Sequence, residues 1–310
     1  MEAAVIDLLK RSAAIPSMPQ VAARFLEIIQ DPDFDYRDVV EVLSSDPGTA
    51  SEILRLANSS LFGVTRNVSS LPQALTLLGM RRVRSLVLGR YIVDSIDRKT
   101  DVAIDLTYFW RRSLTCAVLA GHFAAVAEPQ SREEAFICGL LADIGVVVLA
   151  EAIPGEYASL AAQYRPDGEL GLAAKERALI GISHAQASAL VLAHWRLPDL
   201  VCEAVNWHPW ELDEIEAPPL ARVVAAADVL AKYFCDTQPD LGRVLDVCRQ
   251  IETLLGLSDE RLGEILLQIE HQIADLAQTL RVQTTGLDTC RALAAALHQQ
   301  ILQTQAVPAS

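Results

Sequence analysis

The sequence predicts an all-α protein, and three observations carry that expectation. The apolar fraction is 51% while aromatic residues contribute only 5%, so Ala, Leu, Val and Ile dominate, and Ala and Leu are strong helix formers. Apolar residues recur with a 3.6-residue period through almost the whole chain, without the sustained alternation that a half-buried strand needs. No hairpin signal and no glycine-rich phosphate loop interrupts that pattern. At 310 residues with a mean hydropathy of +0.25, the chain is no disordered segment; its length suits two domains, or one with an extension.

The elements follow in order. Pro19, then Val21, Phe25, Ile28 and Ile29, mark a first helix with proline near its start. Asp35 opens a second through Val39, Val40 and Leu43, and Asp46-Pro47 caps a third carrying Ile53, Leu54 and Leu56. Asn58 to Ser70 is polar and reads as a loop. Leu71-Pro72 restarts a helix with Ala74, Leu75 and Leu78 that ends at Gly79, and Arg81 to Ile96 forms the next, with Val83, Leu86, Val87 and Tyr91 inward. A charged link, Asp97 to Asp105, precedes helices expected near 106–127, 131–150, 154–164, 168–179, 183–195, 198–206 and 217–235. In the tail, Leu262, Leu266, Ile269, Ile273, Leu276 and Leu280 make a short heptad seam, expected to pack back onto the protein, with dimerisation as the alternative.

Charge and cysteine usage bound the setting. The net charge of −14 argues against non-specific nucleic-acid binding by the whole surface. Residues 66–112 nevertheless hold nine Arg/Lys against four Asp. The plainer account of that stretch is a solvated helix face; the sharper one is an anion or partner patch. Cys116, Cys138, Cys202, Cys235, Cys248 and Cys290 form no CxxC pair, so neither a disulfide framework nor a zinc cluster is expected. The longest apolar run, Ile144 to Ala150, is interrupted by Gly145 and ends at Glu151, short of the roughly 20 residues of a membrane span, and Met1-Glu2-Ala3 starts no basic, apolar leader. The expected compartment is the cytoplasm, with no membrane association.

Four ordered motifs then become specific: Ile15-Pro16-Ser17-Met18-Pro19, Ser45-Asp46-Pro47-Gly48, Leu56-Ala57-Asn58-Ser59 and Ala74-Leu75-Thr76-Leu77-Leu78-Gly79. Further on come Phe109-Trp110-Arg111-Arg112-Ser113, Gly139-Leu140-Leu141-Ala142-Asp143-Ile144-Gly145, Gly181-Ile182-Ser183-His184, Trp195-Arg196-Leu197-Pro198 and Trp207-His208. Together they resemble the HDOD family, degenerate relatives of the HD and HD-GYP phosphohydrolases, over about residues 13–235. The resemblance implies a two-lobed helical architecture: an N-terminal lobe over 1–100, a degenerate HD-like lobe over 101–235, and a helical extension over 236–310. It also implies a bacterial signal-transduction role.

Two departures bear on chemistry. The name-giving His-Asp pair is Ala142-Asp143 here, and Arg112 stands where a ligand histidine is expected. From the resemblance, the surviving equivalents of metal ligands are Asp143, His184, His208 and Asp228, and the lost ones fall at Arg112, Ala142 and Trp207. A two-metal hydrolytic centre needs several converging His and Asp side chains, so it is excluded, and no catalytic residue, metal or cofactor is expected. Ser188 takes a position where the family usually has glycine.

Each remaining residue also has a structural account. Asp143 pairs with Arg112 or accepts backbone hydrogen bonds, His184 sits in a helix-capping turn, and His208 is packed at a helix end. Asp228 lies on an apolar helix face and needs a partner, which makes it the most suggestive of the four. Arg81, Arg82 and Arg84 open a helix after Gly79, either as an anion site or as a solvated first turn. The expected function is non-catalytic regulation by binding a protein partner or small ligand. The partners are signalling proteins in trans, cyclic-di-nucleotide pathway components among them. The alternatives are a residual metal-dependent phosphohydrolase and a nucleotide-binding effector that uses the 66–112 stretch.

Overall fold

The computed structural model describes residues 2–11, 15, 18–31, 33–58, 68–97, 103–168, 170–208, 217–284, 291–297 and 299. Among them the regular structure is helical, with no strand. The elements are α1 (Glu2–Arg11), α2 (Gln20–Gln30), α3 (Tyr36–Ser44), α4 (Pro47–Ala57), α5 (Leu71–Asp97), α6 (Leu106–Ala127), α7 (Arg132–Leu141) and α8 (Ile144–Ala152). They continue with α9 (Pro154–Ala161), α10 (Leu172–Ile180), α11 (His184–His194), α12 (Asp199–Trp207), α13 (Pro219–Phe234), α14 (Leu241–Leu255) and α15 (Asp259–Leu280). The chain divides into two compact units. One comprises Met1–Ile15, Asp101–Ala274 and Gln283–Ser310; the other comprises Pro16–Thr100 and Asp275–Val282.

In the smaller unit, side chains that the sequence places at helix starts act as caps. Asp35 accepts from the Arg37 backbone N–H, and Asp46 accepts from the backbone N–H groups of Gly48 and Thr49 ahead of α4. Asp46 also accepts from Tyr91 Oη at 2.8 Å, which ties the Ser45-Asp46-Pro47-Gly48 motif to α5. Asn58 clamps Val68 through both its amide groups, at 2.7 and 2.9 Å; most of the 58–70 stretch, read as a loop, lies outside the described residues. Gly79 has φ +75° and breaks α5 where the sequence ends one helix and begins the next. Glu52 is buried between Arg90 (2.6 Å) and Arg281 (3.5 Å).

The larger unit is built around α6, which is buried on nearly every side and packs chiefly on α7 and α13. Asp105 caps its start by accepting from the backbone N–H groups of Thr107 and Tyr108. The expected single helix over 131–150 is corrected to two, α7 and α8, broken at Ala142-Asp143. The reason is a close approach: α8 lies so near α11 that a Cβ at Gly145 would stand 2.0 Å from the His184 carbonyl oxygen. Ser188 fixes that contact, accepting from Gly145 N–H at 2.8 Å and donating to the Ala142 carbonyl at 2.6 Å. By length and composition, Pro129–Ala152 would suffice for a membrane span, contrary to the sequence expectation, yet 83% of its apolar window is buried in this fold.

Two further regions differ from the sequence reading. The helix α1, with Leu9 buried, packs on α8. Residues 236–274, read as an extension, fold into the larger unit through α14, which rests on α13 and α6. All six residues of the heptad seam are buried within the chain. The described cysteines are free, four of them buried, and burial pushes the Cys248 thiol up to about 12.

Candidate functional site

The larger unit gathers five residues singled out in the sequence, each from a different element. Arg112 projects from α6, Asp143 from the α7–α8 turn, His184 from the first turn of α11, His208 from the end of α12, and Asp228 from α13. The local reasons are plain. The break before α8 turns Asp143 inward, and a capping box of Ser183 and Gln186 starts α11 so that His184 occupies its first position. Thus Ser183, not His184, supplies the cap.

Arg112 organises the cluster. Its guanidinium grips Asp228 with Nη2 at 2.8 Å from Oδ1 and 3.0 Å from Oδ2, and with Nε at 3.3 Å from Oδ1. The same Nε lies 3.1 Å from Asp143 Oδ2. Its Cζ stands 5.2 Å from the centroid of the Tyr164 ring, and Tyr164 Oη donates to Asp143 Oδ2 at 2.6 Å. Asp143 Oδ1 faces the two histidines, with His208 Nε2 at 3.3 Å and His184 Nε2 at 3.5 Å. Behind them, His208 Nδ1 donates to the Val205 carbonyl at 2.6 Å, and His184 Nδ1 donates to Glu176 Oε2 at 2.6 Å. Glu176 Oε2 also accepts from the His184 backbone N–H at 2.7 Å, while its other oxygen accepts from Tyr157 Oη.

The electrostatics follow from burial and these neighbours. Burial alone would raise the Asp143 carboxyl; Arg112, the His208 hydrogen bond and His184 outweigh it and hold the group far below the usual carboxylate range. Burial opposes the Arg112 charge, but Asp143 and Asp228 more than compensate and keep the guanidinium firmly protonated. Burial would lower His184, yet Glu176 and Asp143 raise it above the ordinary histidine value of 6.5. Burial first, then Asp143, push the Tyr164 hydroxyl well up.

This arrangement settles which ions the donor set fits. A two-ion centre does not fit. Both oxygens of Asp228 and Oδ2 of Asp143 are held by a fixed cation, and Ala142 offers no donor. Asp143, His184 and His208 do offer one donor atom each, all within 4.8 Å of one another.

The chain carries the sequence signature of a single family along most of this fold, with the HDOD domain matching residues 15–210. It belongs to the HDOD domain family. An HDOD domain protein of unknown function from Geobacter sulfurreducens has the same fold, with a TM-score of 0.65 at 21% identity, over 89% of this chain and 98% of that one. A proposed phosphohydrolase from Shewanella amazonensis aligns at TM-score 0.59 and 23% identity, over 94% and 97% of the two chains. An uncharacterised protein of Treponema pallidum (strain Nichols) is 26% identical over 280 residues, or 86% of this chain. The chain spans half the length of that relative.

Arg81 and Arg84 belong to the smaller unit, Arg81 exposed and Arg84 half-buried on α5; the side chain of Arg82 lies outside the described residues, as do Arg66, Lys99 and Arg98. Arg111, counted in the basic stretch, is buried in the larger unit and donates to the Phe234 carbonyl at 2.6 Å, closing the end of α13. Sequence reasoning missed Glu176, Tyr157 and Tyr164. Glu176 sits in Lys175-Glu176-Arg177, which reads as a solvated charge run, and its spacing of eight residues before His184 was the one available signal. The tyrosines gave no signal beyond the scarcity of aromatic residues.

Proposed function

We propose that this HDOD chain is a non-catalytic regulatory module of bacterial signalling, acting in the cytoplasm by binding a protein partner or small ligand in trans. The observation that carries the proposal is the Arg112 guanidinium spanning Asp228 and Asp143. Two-metal hydrolysis places two cations beside a bound water, so that one supplies hydroxide and both stabilise charge. A guanidinium supplies charge without ligating water and without lowering its pKa, so this site keeps the electrostatics of a cation and loses the nucleophile. The fold then remains as a rigid, charged scaffold for recognition.

The test is turnover of a cyclic dinucleotide and of a simple phosphodiester by the full chain loaded in turn with Mn2+, Fe2+ and Zn2+. The proposal expects no turnover above background. Turnover that Asp228→Ala and His184→Ala abolish would overturn it and establish a phosphohydrolase. The rival reading through the 66–112 stretch is weakened by the burial of Arg111, by the pairing of Arg112 with Asp143 and Asp228, and by the Arg90–Glu52 pair, which engage three of its cations within the protein.

A further inference from the structure

We infer that α1 is a displaceable cover on an apolar flank of α8, and that the flank it vacates takes an amphipathic helix of the partner. This rests on the proposed function in one respect, that the module binds a protein in trans. It adds where that partner sits and which element it displaces.

The first ground is how little of α1 is held. Among its described side chains Leu9 alone is buried, at 1% exposure; Val5 and Ile6 are half-buried, and Ala3, Asp7 and Leu8 face solvent, Leu8 at 43%. The helix has ten residues, and an isolated helix shorter than about 12–15 residues is marginal in water. Its helicity therefore depends on its seat, so undocking and unwinding are one event. The path of the chain does not hold it there either. Residues up to Ile15 belong to the larger unit, but the chain leaves that unit at Pro16 and returns only at Asp101. Segments with few buried apolar contacts open locally while the rest of a domain stays folded.

The second ground is what α1 covers. Val146, Val147, Val148 and Leu149 of α8 are each at most 1% exposed. Successive helical residues stand about 100° apart, so these four point in every direction and α8 has no polar face to turn to water. It packs against α11, α9 and α1. The α11 side is locked, because Gly145 leaves no room for a Cβ against the His184 carbonyl and Ser188 bonds both Gly145 and Ala142. The α1 side is closed by one fully buried side chain. Release of α1 thus bares apolar surface on a helix that stays fixed from behind, and an amphipathic helix lays its apolar stripe into such a surface. The matching stripe is the one that α1 presents: Leu9 with Val5 four residues and Ile6 three residues before it. A third ground is placement in the family. The HDOD match begins at residue 15, so the cover precedes the shared domain while its seat on α8 lies inside it.

The experiment follows hydrogen–deuterium exchange in the full chain and uses a fluorescent peptide of residues 1–12 as the probe. A cover that is open for roughly 0.1–10% of the time slows its own amides only about 10–1,000-fold relative to an unfolded peptide, whereas the amides of α6 exchange far more slowly. Leu9→Ala speeds exchange in α1 about 10-fold or more and leaves α6 unchanged, since a buried leucine is lost from the seat alone; Leu8→Ala moves neither helix. The peptide binds the Leu9→Ala chain saturably and the native chain about 10-fold or more weakly, because the native cover leaves the seat free for only a fraction of the time. Three results would each overturn the inference. One is native α1 amides that exchange as slowly as those of α6. Another is a Leu9→Ala substitution that speeds both helices equally or prevents folding, which would make α1 part of the core. The last is no saturable binding of the peptide to the folded Leu9→Ala chain at millimolar concentration. Exchange and peptide binding are read apart from phosphodiester turnover: turnover would sink the proposed function and leave the α1 result standing, and a fixed α1 would do the reverse.

Discussion

Replacing Arg112 by alanine should be among the most damaging single changes in the larger unit. The guanidinium is the source of every hydrogen bond that Asp228 receives among the described residues, and it lies 3.1 Å from Asp143. Asp143 keeps Tyr164 and His208 when Arg112 is lost; Asp228 is left buried without a cation. Removing one partner of a buried ion pair costs about 3–5 kcal/mol. A single contact near 4 Å at an effective dielectric constant of 20 gives roughly 4 kcal/mol, the same size. Urea unfolding followed by circular dichroism in chelator reads the loss. With a slope of about 2–3 kcal/mol/M, the midpoint of the larger unit should fall by roughly 1–2 M while the slope holds. Asp228→Ala and the double variant complete a cycle, and the double variant should be milder than the sum by about 2–3 kcal/mol. A loss below about 1 kcal/mol for Arg112→Ala, with additive singles, is the behaviour of a solvated surface pair and would refute the reasoning.

Three further outcomes follow from the same structure. Gly145→Ala should cost about 3 kcal/mol or more by thermal unfolding, because its Cβ meets the His184 carbonyl oxygen at 2.0 Å; a neutral effect would mean that α8 and α11 are not so close. In metal-free buffer, stability should fall on both sides of a window from about pH 4 to 6.5. The depressed Asp143 carboxyl contributes stability that is present above its unfolded value of 3.8 and is lost as pH falls towards its folded value. The raised His184 contributes stability that is present below 6.5 and is lost as pH rises through its folded value, so a stability curve that climbs from pH 6.5 to 8 would contradict this. Truncation after Leu257 should leave a chain that unfolds without cooperativity, since Leu262, Leu266, Ile269 and Ile273 are buried and each contributes about 1.5–3 kcal/mol. A well-folded truncated chain of lower oligomeric mass would instead make the seam an assembly surface.

Much of this architecture was legible because local chemistry and tertiary packing agree. Asp35, Asp46 and Asp105 cap helices at starts that their sequence positions announce, and Gly79 breaks α5 where a helix stop was expected. The pairing of Asp143 with Arg112 was one of the two structural accounts the sequence offered for that carboxylate, and Asp228 found the partner that its apolar surroundings demanded. What escaped was tertiary. The split between α7 and α8 falls inside a run whose apolar residues satisfy one long helix equally well, and it is imposed by the approach of α11. Glu176 looked like a surface charge because the three-dimensional partner that buries it, His184, lies beyond a turn. Whether the tail stands apart or folds in depends on what covers its seam, and a heptad pattern is equally suited to a neighbouring helix of the same chain or of another.

The account rests on Arg112 standing in for a cation, and a crystal structure of the full chain soaked in Mn2+, with anomalous scattering used to locate the ions, tests that most directly. The account predicts at most one anomalous peak, between Asp143 Oδ1, His184 and His208, with the Arg112 guanidinium still bound to Asp228 and Asp143. Two peaks bridged by a water, with Arg112 turned away from Asp228, would contradict it.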